Sequence, residues 1–194
     1  MDKKEAIARA AMICISKYGI EKTNSYAIAK EMGIAQSGVF YHFPSQTDLF
    51  DSLLTRISLK NHELVSQLQK KKKTASNLER LKIYITGNLA WAHRFPEQVG
   101  VLLNSFMKTS YSKAMTEKVL VTLGAGEESI YRYLACGVVE KEFRVRGEIR
   151  ETAKLIHETL IGAIISFHYS RSKSSSRNYS ARLVKSLALY LQAP

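Results

Sequence analysis

A chain of 194 residues, 45% apolar and 24% charged, has the size of one compact unit or of two small ones sharing a core. The formal charge of +12 invites a nucleic-acid partner, but residues 1–50 hold six Lys/Arg against five Asp/Glu, so the excess does not mark the N-terminal region. Two cysteines, Cys14 and Cys136, lack CxxC spacing and exclude a disulfide scaffold. The opening MDKKEAIARAA has no apolar signal core, and the longest apolar run, LIGAIISF at 160–167, is too short to cross a bilayer, so the expectation is a cytoplasmic protein with no membrane partner.

Three prolines and ten glycines leave long uninterrupted segments, and the periodicity is helical from the start. Asp2 with Glu5 three residues on reads as a capping box, and apolar positions from Ala6 to Tyr18 repeat at helical spacing until Gly19 offers a C-cap. A short second helix runs from Ser25 to Met32 and ends at Gly33; a third begins at Gln36 and stops before Pro44. Ser45 and Asp48 cap a long fourth helix carrying Leu49, Leu53, Ile57, Leu64 and Leu68. It ends in Lys70–Lys73, which read as cations at the negative end of the helix dipole in preference to a DNA or lipid contact.

SNLE at 76–79 opens a fifth helix reaching Phe95, and Pro96 starts the next in its first turn. Two helices are expected over about 112–122 and 125–138, split at the glycines of GAG. A long helix follows Gly147, with Glu148 and Glu151 in its first turn, and runs to Arg171. The basic, serine-rich run 170–180 reads as a loop, and a last helix covers 181–192. No strand pattern and no internal repeat stand out. The expected fold is all-α with about nine helices.

Residues 27–42 form a unit. A helix ends at Gly33, which permits the positive φ of a tight turn, and a second short helix follows. Ala29 is small where crossing helices approach, and Ile28, Met32, Ile34 and Val39 supply a shared core, the pattern of a helix-turn-helix. The stretch around it, residues 4–54, resembles the DNA-binding domain of TetR-family transcriptional regulators. The likeness is carried by the Ala-rich first helix, YG at 18–19, Thr23, IA at 28–29, MGIAQSGVFYHF and the LF that follows. The remaining 140 or so residues agree in helix layout, in FPEQ near 95–98 and in EKEFR at 140–144.

The resemblance implies a DNA-binding domain over 1–46 and a ligand-binding and dimerisation domain over 47–194. It makes 36–42 the recognition helix, with Gln36, Ser37, Gly38, Tyr41 and His42 on its outer face. Phe40 and Phe43 are expected to turn inward. Thr23, Asn24, Ser25 and Tyr26 open the second helix, whose N–H groups suit a phosphate. Phe40 stands where the family usually has tyrosine, and Gln46 where it usually has a phosphate-contacting lysine. Together with the local charge, these departures predict a mostly neutral DNA face with a shallow salt dependence.

Tyr84, Asn88, Trp91, Phe106 and Met107 lie in apolar stripes that read first as core; the resemblance makes them the candidates for an effector site, for a small, mainly apolar molecule that the sequence does not identify. The segments near 148–171 and 181–192 are expected to pair two subunits into a homodimer reading a pseudo-palindromic operator on double-stranded DNA. His157 and His168 share a helix face with no carboxylate or further histidine evident nearby, so no metal is expected. HETLI at 157–161 lacks the second histidine of a zinc protease, and no GxSxG, P-loop or GxGxxG occurs, so neither an enzyme nor a cofactor is expected. The resemblance implies a ligand-responsive regulator, a repressor released by its effector, with activation the other possibility. The alternative is a helical module that binds a small molecule or protein and has lost specific DNA binding.

Overall fold

The computed structural model describes residues 2–72, 76–107, 113–170 and 175–192. Among them are nine α-helices: α1 Lys3–Tyr18, α2 Ser25–Met32, α3 Gln36–His42, α4 Gln46–Lys70, α5 Asn77–Arg94, α6 Pro96–Met107, α7 Lys113–Val139, α8 Ile149–Ser170 and α9 Ser175–Ser186. The all-α expectation holds. Lys73, the expected helix start at 112, and Arg171 lie outside the described residues. Two compact units divide the chain: Met1–Lys60 with Phe95–Leu120, and Asn61–Arg94 with Val121–Pro194. The expected boundary at 46/47 falls inside the first of these.

In the first unit, α1 buries Ile7, Ala8, Ala11, Cys14 and Ile15 and packs against α2 and α6. The approach of α6 is close: a Cβ on Gly100 would lie 3.2 Å from Ser16 Oγ. Asp2 caps α1, accepting from Lys4 N–H at 3.3 Å, but Glu5 does not complete the capping box; it pairs with Arg56 of α4. Ser45 does cap α4: Asp48 N–H donates to Ser45 Oγ at 3.0 Å, and the hydroxyl donates to the Asp48 carboxylate at 2.6 Å. Leu49, Phe50, Leu53, Leu54 and Ile57 then turn into the core.

The second unit centres on Leu81, Ile85 and Leu89 of α5, Ile130 and Leu134 of α7, Ala153, Ile156 and Leu160 of α8, and Leu183 of α9. Glu142, beyond α7, caps α5 from a distance of 65 residues in sequence. Its carboxylate accepts from Asn77 N–H at 2.8 Å and Leu78 N–H at 3.0 Å. Burial pushes this carboxyl upward, but the hydrogen bonds from Asn77 and Leu78 outweigh it and leave the pKa below the usual carboxylate value.

Three expectations fail here. The two helices of 112–138 are one. Gly124 and Gly126 do not end α7, because Gly126 answers a packing demand: a Cβ there would lie 2.4 Å from His157 Nε2 of α8. Residues 175–180 belong to α9 rather than to a loop; the turn propensity of serine is a weak prior that context overrides. The last helix stops at Ser186. A 3₁₀ turn, Leu187–Leu189, leads into β2 (Leu191–Gln192), which pairs antiparallel with β1 (Arg144–Val145) in the register Arg144–Gln192 and Val145–Leu191. A two-residue pair so distant in sequence has no local signature.

Candidate nucleic-acid interface and effector region

The turn between α1 and α2 is built on Gly19 and Thr23. Gly19, at φ 80°, ends α1 by donating to Ile15 O, and its own carbonyl accepts the Thr23 hydroxyl at 2.8 Å. Thr23 is fully buried and its N–H donates to Ile20 O, so neither group faces outward; its role is to close the turn. Asn24 is the N-cap of α2, accepting from Ala27 N–H at 2.9 Å. Helix geometry leaves the N–H groups of Ser25 and Tyr26 without carbonyls of their own helix to reach, and Tyr26 is exposed. Gly33, in the left-handed region at φ 65°, then reverses the chain toward α3.

In α3, Val39 and Phe43 are one turn apart and buried, at 1% and 4% exposure. They hold the helix down, and Lys4 Nζ sits over the Phe43 ring at 5.5 Å. Phe40 does not turn inward as expected. It is 48% exposed, because one residue's rotation from Val39 carries it about 100° off the stripe that Val39 and Phe43 define. Tyr41 is 83% exposed, its ring edge-on to His42 with centroids 5.1 Å apart. Gln36 and Ser37 are exposed and Gly38 half-buried. Gln36 Nε2 donates to Ser25 Oγ at 2.8 Å, tying the start of α3 to the start of α2.

Gln46 is turned back onto the protein. Its Nε2 donates to Thr23 O at 3.2 Å and to Ile20 O at 3.4 Å, fastening the first turn of α4 to the α1–α2 turn. Sequence reasoning put Gln46 at the position of a phosphate contact of the resembled family and did not foresee this clamp. Lys17 pairs with Glu31 at 3.2 Å, which neutralises one more cation of the region and raises the lysine pKa through that hydrogen bond.

The profile of the family described as bacterial regulatory proteins, tetR family, matches residues 7–53, the span of α1 to α3 and the start of α4. Over these residues the chain is similar to the proteins of that family. It is 30% identical over 98 residues to the nucleoid occlusion factor SlmA of Sodalis glossinidius (strain morsitans), a match covering 48% of this chain and 46% of that protein. The matched region thus spans about half the length of that curated relative.

Solved structures show the same fold over nearly the whole chain. A transcriptional regulator from Saccharomonospora viridis, in complex with choline, superposes with a TM-score of 0.83 at 18% identity, covering 97% of both chains. The SmeT–triclosan complex gives 0.80 at 14% identity, over 99% of this chain and 93% of that one. The ketosteroid regulator KstR2 of Mycobacterium tuberculosis gives 0.77 at 16%, over 98% and 96%.

Of the effector candidates, Tyr84, Asn88 and Trp91 lie on α5 in the second unit, while Phe106 and Met107 belong to α6 in the first. The Met107 side chain lies outside the described residues. Trp91 is buried and Phe106 half-buried. Asn88 is buried with both ends of its amide used: Nδ2 donates to Tyr84 O at 2.8 Å and Oδ1 accepts from Asn61 at 3.1 Å. The Tyr84 hydroxyl donates to Gly126 O at 3.4 Å. Burial, with Tyr133 beside it, pushes its pKa up to about 12, so the phenol stays neutral. Tyr133 in turn accepts from Gln69 at 2.7 Å.

His157 is half-buried against Gly126. Burial lowers its pKa, with Glu127 and Glu158 opposing. Among the described residues, no three His, Cys, Asp or Glu side chains converge as a metal site, and no helix is long and apolar enough to cross a membrane. On α8, Leu155, Thr159, Gly162, Ser166 and Tyr169 recur at alternating spacings of four and three, and all five are exposed. Leu155 and Tyr169 are large apolar groups in that stripe, opposite the buried Ala153, Ile156 and Leu160.

Proposed function

We propose that this chain is a ligand-responsive, DNA-binding transcriptional regulator in the cytoplasm, a repressor that binds a pseudo-palindromic operator as a homodimer. The observation that carries the reading is α3. It is a seven-residue helix, pinned from below by Val39 and Phe43, and it presents Gln36, Ser37 and Tyr41 to solvent within the segment matched by the family profile. A helix so short reads few base pairs, so two copies are needed for specificity. The stripe Leu155–Thr159–Gly162–Ser166–Tyr169 on α8 supports a two-fold interface, since small residues between two large apolar ones let helices approach closely. Leu189, in the turn after α9, is a further exposed apolar residue near the C-terminus.

An effector bound beside α4 and α5 shifts α4. Because Gln46 fastens the start of that helix to the α1–α2 turn, the shift reaches α2 and α3 and moves the recognition helices out of register with their half-sites. The choline and triclosan complexes of fold relatives support a small-molecule effector, and buried Trp91 and neutral Tyr84 favour a mainly apolar one. By linkage, operator DNA weakens effector binding by the same factor.

The test is fluorescence anisotropy of the full-length protein on a labelled duplex from upstream of its own gene, against a scrambled duplex and with Tyr41→Ala alongside. Binding to the first duplex that is at least tenfold tighter, and lost in the variant, is expected. Equal weak binding by both proteins to both duplexes favours the second reading, a module without specific DNA binding. The inward turn of the Gln46 amide speaks for that reading.

A further inference from the structure

We infer that Phe40 is a specificity-determining residue of α3: its phenyl ring reads the methyl group of one thymine in each operator half-site. The inference rests on the DNA-reading role proposed above. The exposed residues of α3 are Gln36, Ser37, Phe40 and Tyr41. At helical spacing they form two adjoining ridges, Gln36 with Phe40 and Ser37 with Tyr41, each pair one turn apart. Gln36, Ser37 and Tyr41 can each donate or accept a hydrogen bond; Phe40 can do neither. Val39 and Phe43 are the buried residues that hold the helix down, so Phe40 is not spent on that. Among the described residues its ring meets no other ring and no cation, whereas Tyr41 lies edge-on to His42 and Phe43 lies under Lys4.

A lone exposed phenylalanine is ordinary on a protein surface. What distinguishes this one is its place, one turn along from Gln36 and next to Tyr41. A helix that carries those side chains into the major groove carries the ring in with them, out of water. Laid against a base N–H or carbonyl, the ring would strip that group of water and return no hydrogen bond, which is unfavourable. Along the base edges of the major groove the apolar group is the C5-methyl of thymine, and contact with it removes two apolar surfaces from water together. Phe40 therefore favours thymine at the position it meets.

The methyl can be removed without touching any hydrogen bond, by deoxyuridine in place of thymidine. The full-length protein first selects bound duplexes from a random-sequence pool. Each thymine of the selected motif is then replaced in turn by deoxyuridine, in one half-site and in both, and affinities are read by fluorescence anisotropy.

For the natural protein, one position loses about fourfold per methyl, hence about fifteenfold with both half-sites changed. In Phe40→Ala the loss at that position disappears, while losses at other positions are unchanged; Phe40→Leu, which keeps an apolar tip, retains it. A motif in which no thymine methyl matters overturns the inference. So does a Phe40→Ala protein that keeps the natural loss; in both cases the selected motif leaves the DNA-reading function standing. If Phe40→Ala binds too weakly to titrate, Phe40→Leu and Phe40→Asn, side chains of like shape and opposite polarity, decide. A loss in the first and none in the second is expected, and equal losses overturn the inference. A pool that yields no motif with the natural protein overturns the DNA-reading function and the inference with it.

Discussion

Replacing Gln46 with lysine tests how this protein meets phosphate. The Gln46 amide donates to Thr23 O and Ile20 O and carries no charge, and Lys17 is paired with Glu31, so the cations exposed beside α2 are Lys22 and Lys30. Counting these two on each protomer of a dimer, the logarithm of the binding constant falls with the logarithm of salt at a slope of about −3.6. Gln46→Lys adds one phosphate-seeking cation per protomer and steepens the slope to about −5.4. Between 50 and 200 mM salt the natural protein then loses about 150-fold in affinity and the variant about 2,000-fold. Gln46→Ala removes the clamp without adding charge, and its slope stays at the natural value while affinity falls. Anisotropy titrations on one selected duplex at four salt concentrations give all three slopes. An unchanged slope in the lysine variant means that position 46 does not face phosphate. A natural slope steeper than about −6 refutes the hydrogen-bonding face altogether.

Further predictions concern the second unit. Gly126→Ala lowers the urea midpoint by an amount corresponding to about 1–3 kcal/mol, because the new methyl meets the His157 ring, whereas Gly124→Ala, with nothing within 4 Å, raises stability by up to about 1 kcal/mol. Equal effects of the two substitutions would show that α7 and α8 are not in close contact at Gly126. Glu142→Ala removes the cap of α5 and costs about 1–2 kcal/mol at neutral pH.

Acidification acts in two stages. His157 has a folded pKa below its ordinary 6.5, so the unfolded chain takes up that proton first and stability begins to fall as pH drops below about 6.5. Glu142, also lowered, contributes stability that is present above the ordinary carboxylate pKa and lost as pH falls through the folded value; the early stage disappears in His157→Gln and the late one shrinks in Glu142→Ala. On the proposed two-fold interface, Leu155→Glu together with Tyr169→Glu leaves a monomer where the natural protein sediments as a dimer, and abolishes tight operator binding; a variant that still sediments as a dimer would remove α8 from the interface.

The reading head was legible in the sequence because its signals are local. Gly33 sits where the chain must take a positive φ, Ser45 and Asp48 form the cap their spacing announces, and Val39 and Phe43 lie one turn apart on the buried side. What escaped was decided by partners far along the chain. A glycine pair inside a helix looks the same whether it ends the helix or admits a neighbour, and only the position of His157 makes Gly126 the second case. Thr23 passed for a phosphate ligand because its buried acceptor, Gly19 O, becomes visible only when the turn closes. Gln36 was expected to face outward, and Gln46 was expected only to lack the charge of a phosphate-contacting lysine. Each uses its Nε2 inside the protein, on carbonyls 26 and 23 residues away in one case and on a serine 11 residues away in the other. The effector region was legible as an apolar stripe with polar interruptions, but not in its details: the use of both ends of the Asn88 amide depends on Asn61, a residue of α4.

The central claim is sequence-specific DNA reading by α3, and the most direct measurement is a selection of genomic fragments bound by the full-length protein, run in parallel with Tyr41→Ala. The account predicts enrichment of a few fragments sharing a pseudo-palindrome, with half-site centres spaced by about one helical turn of DNA or a multiple of it, and no enrichment with the variant. Bound fragments without a shared motif, or the same fragments recovered by both proteins, would contradict it.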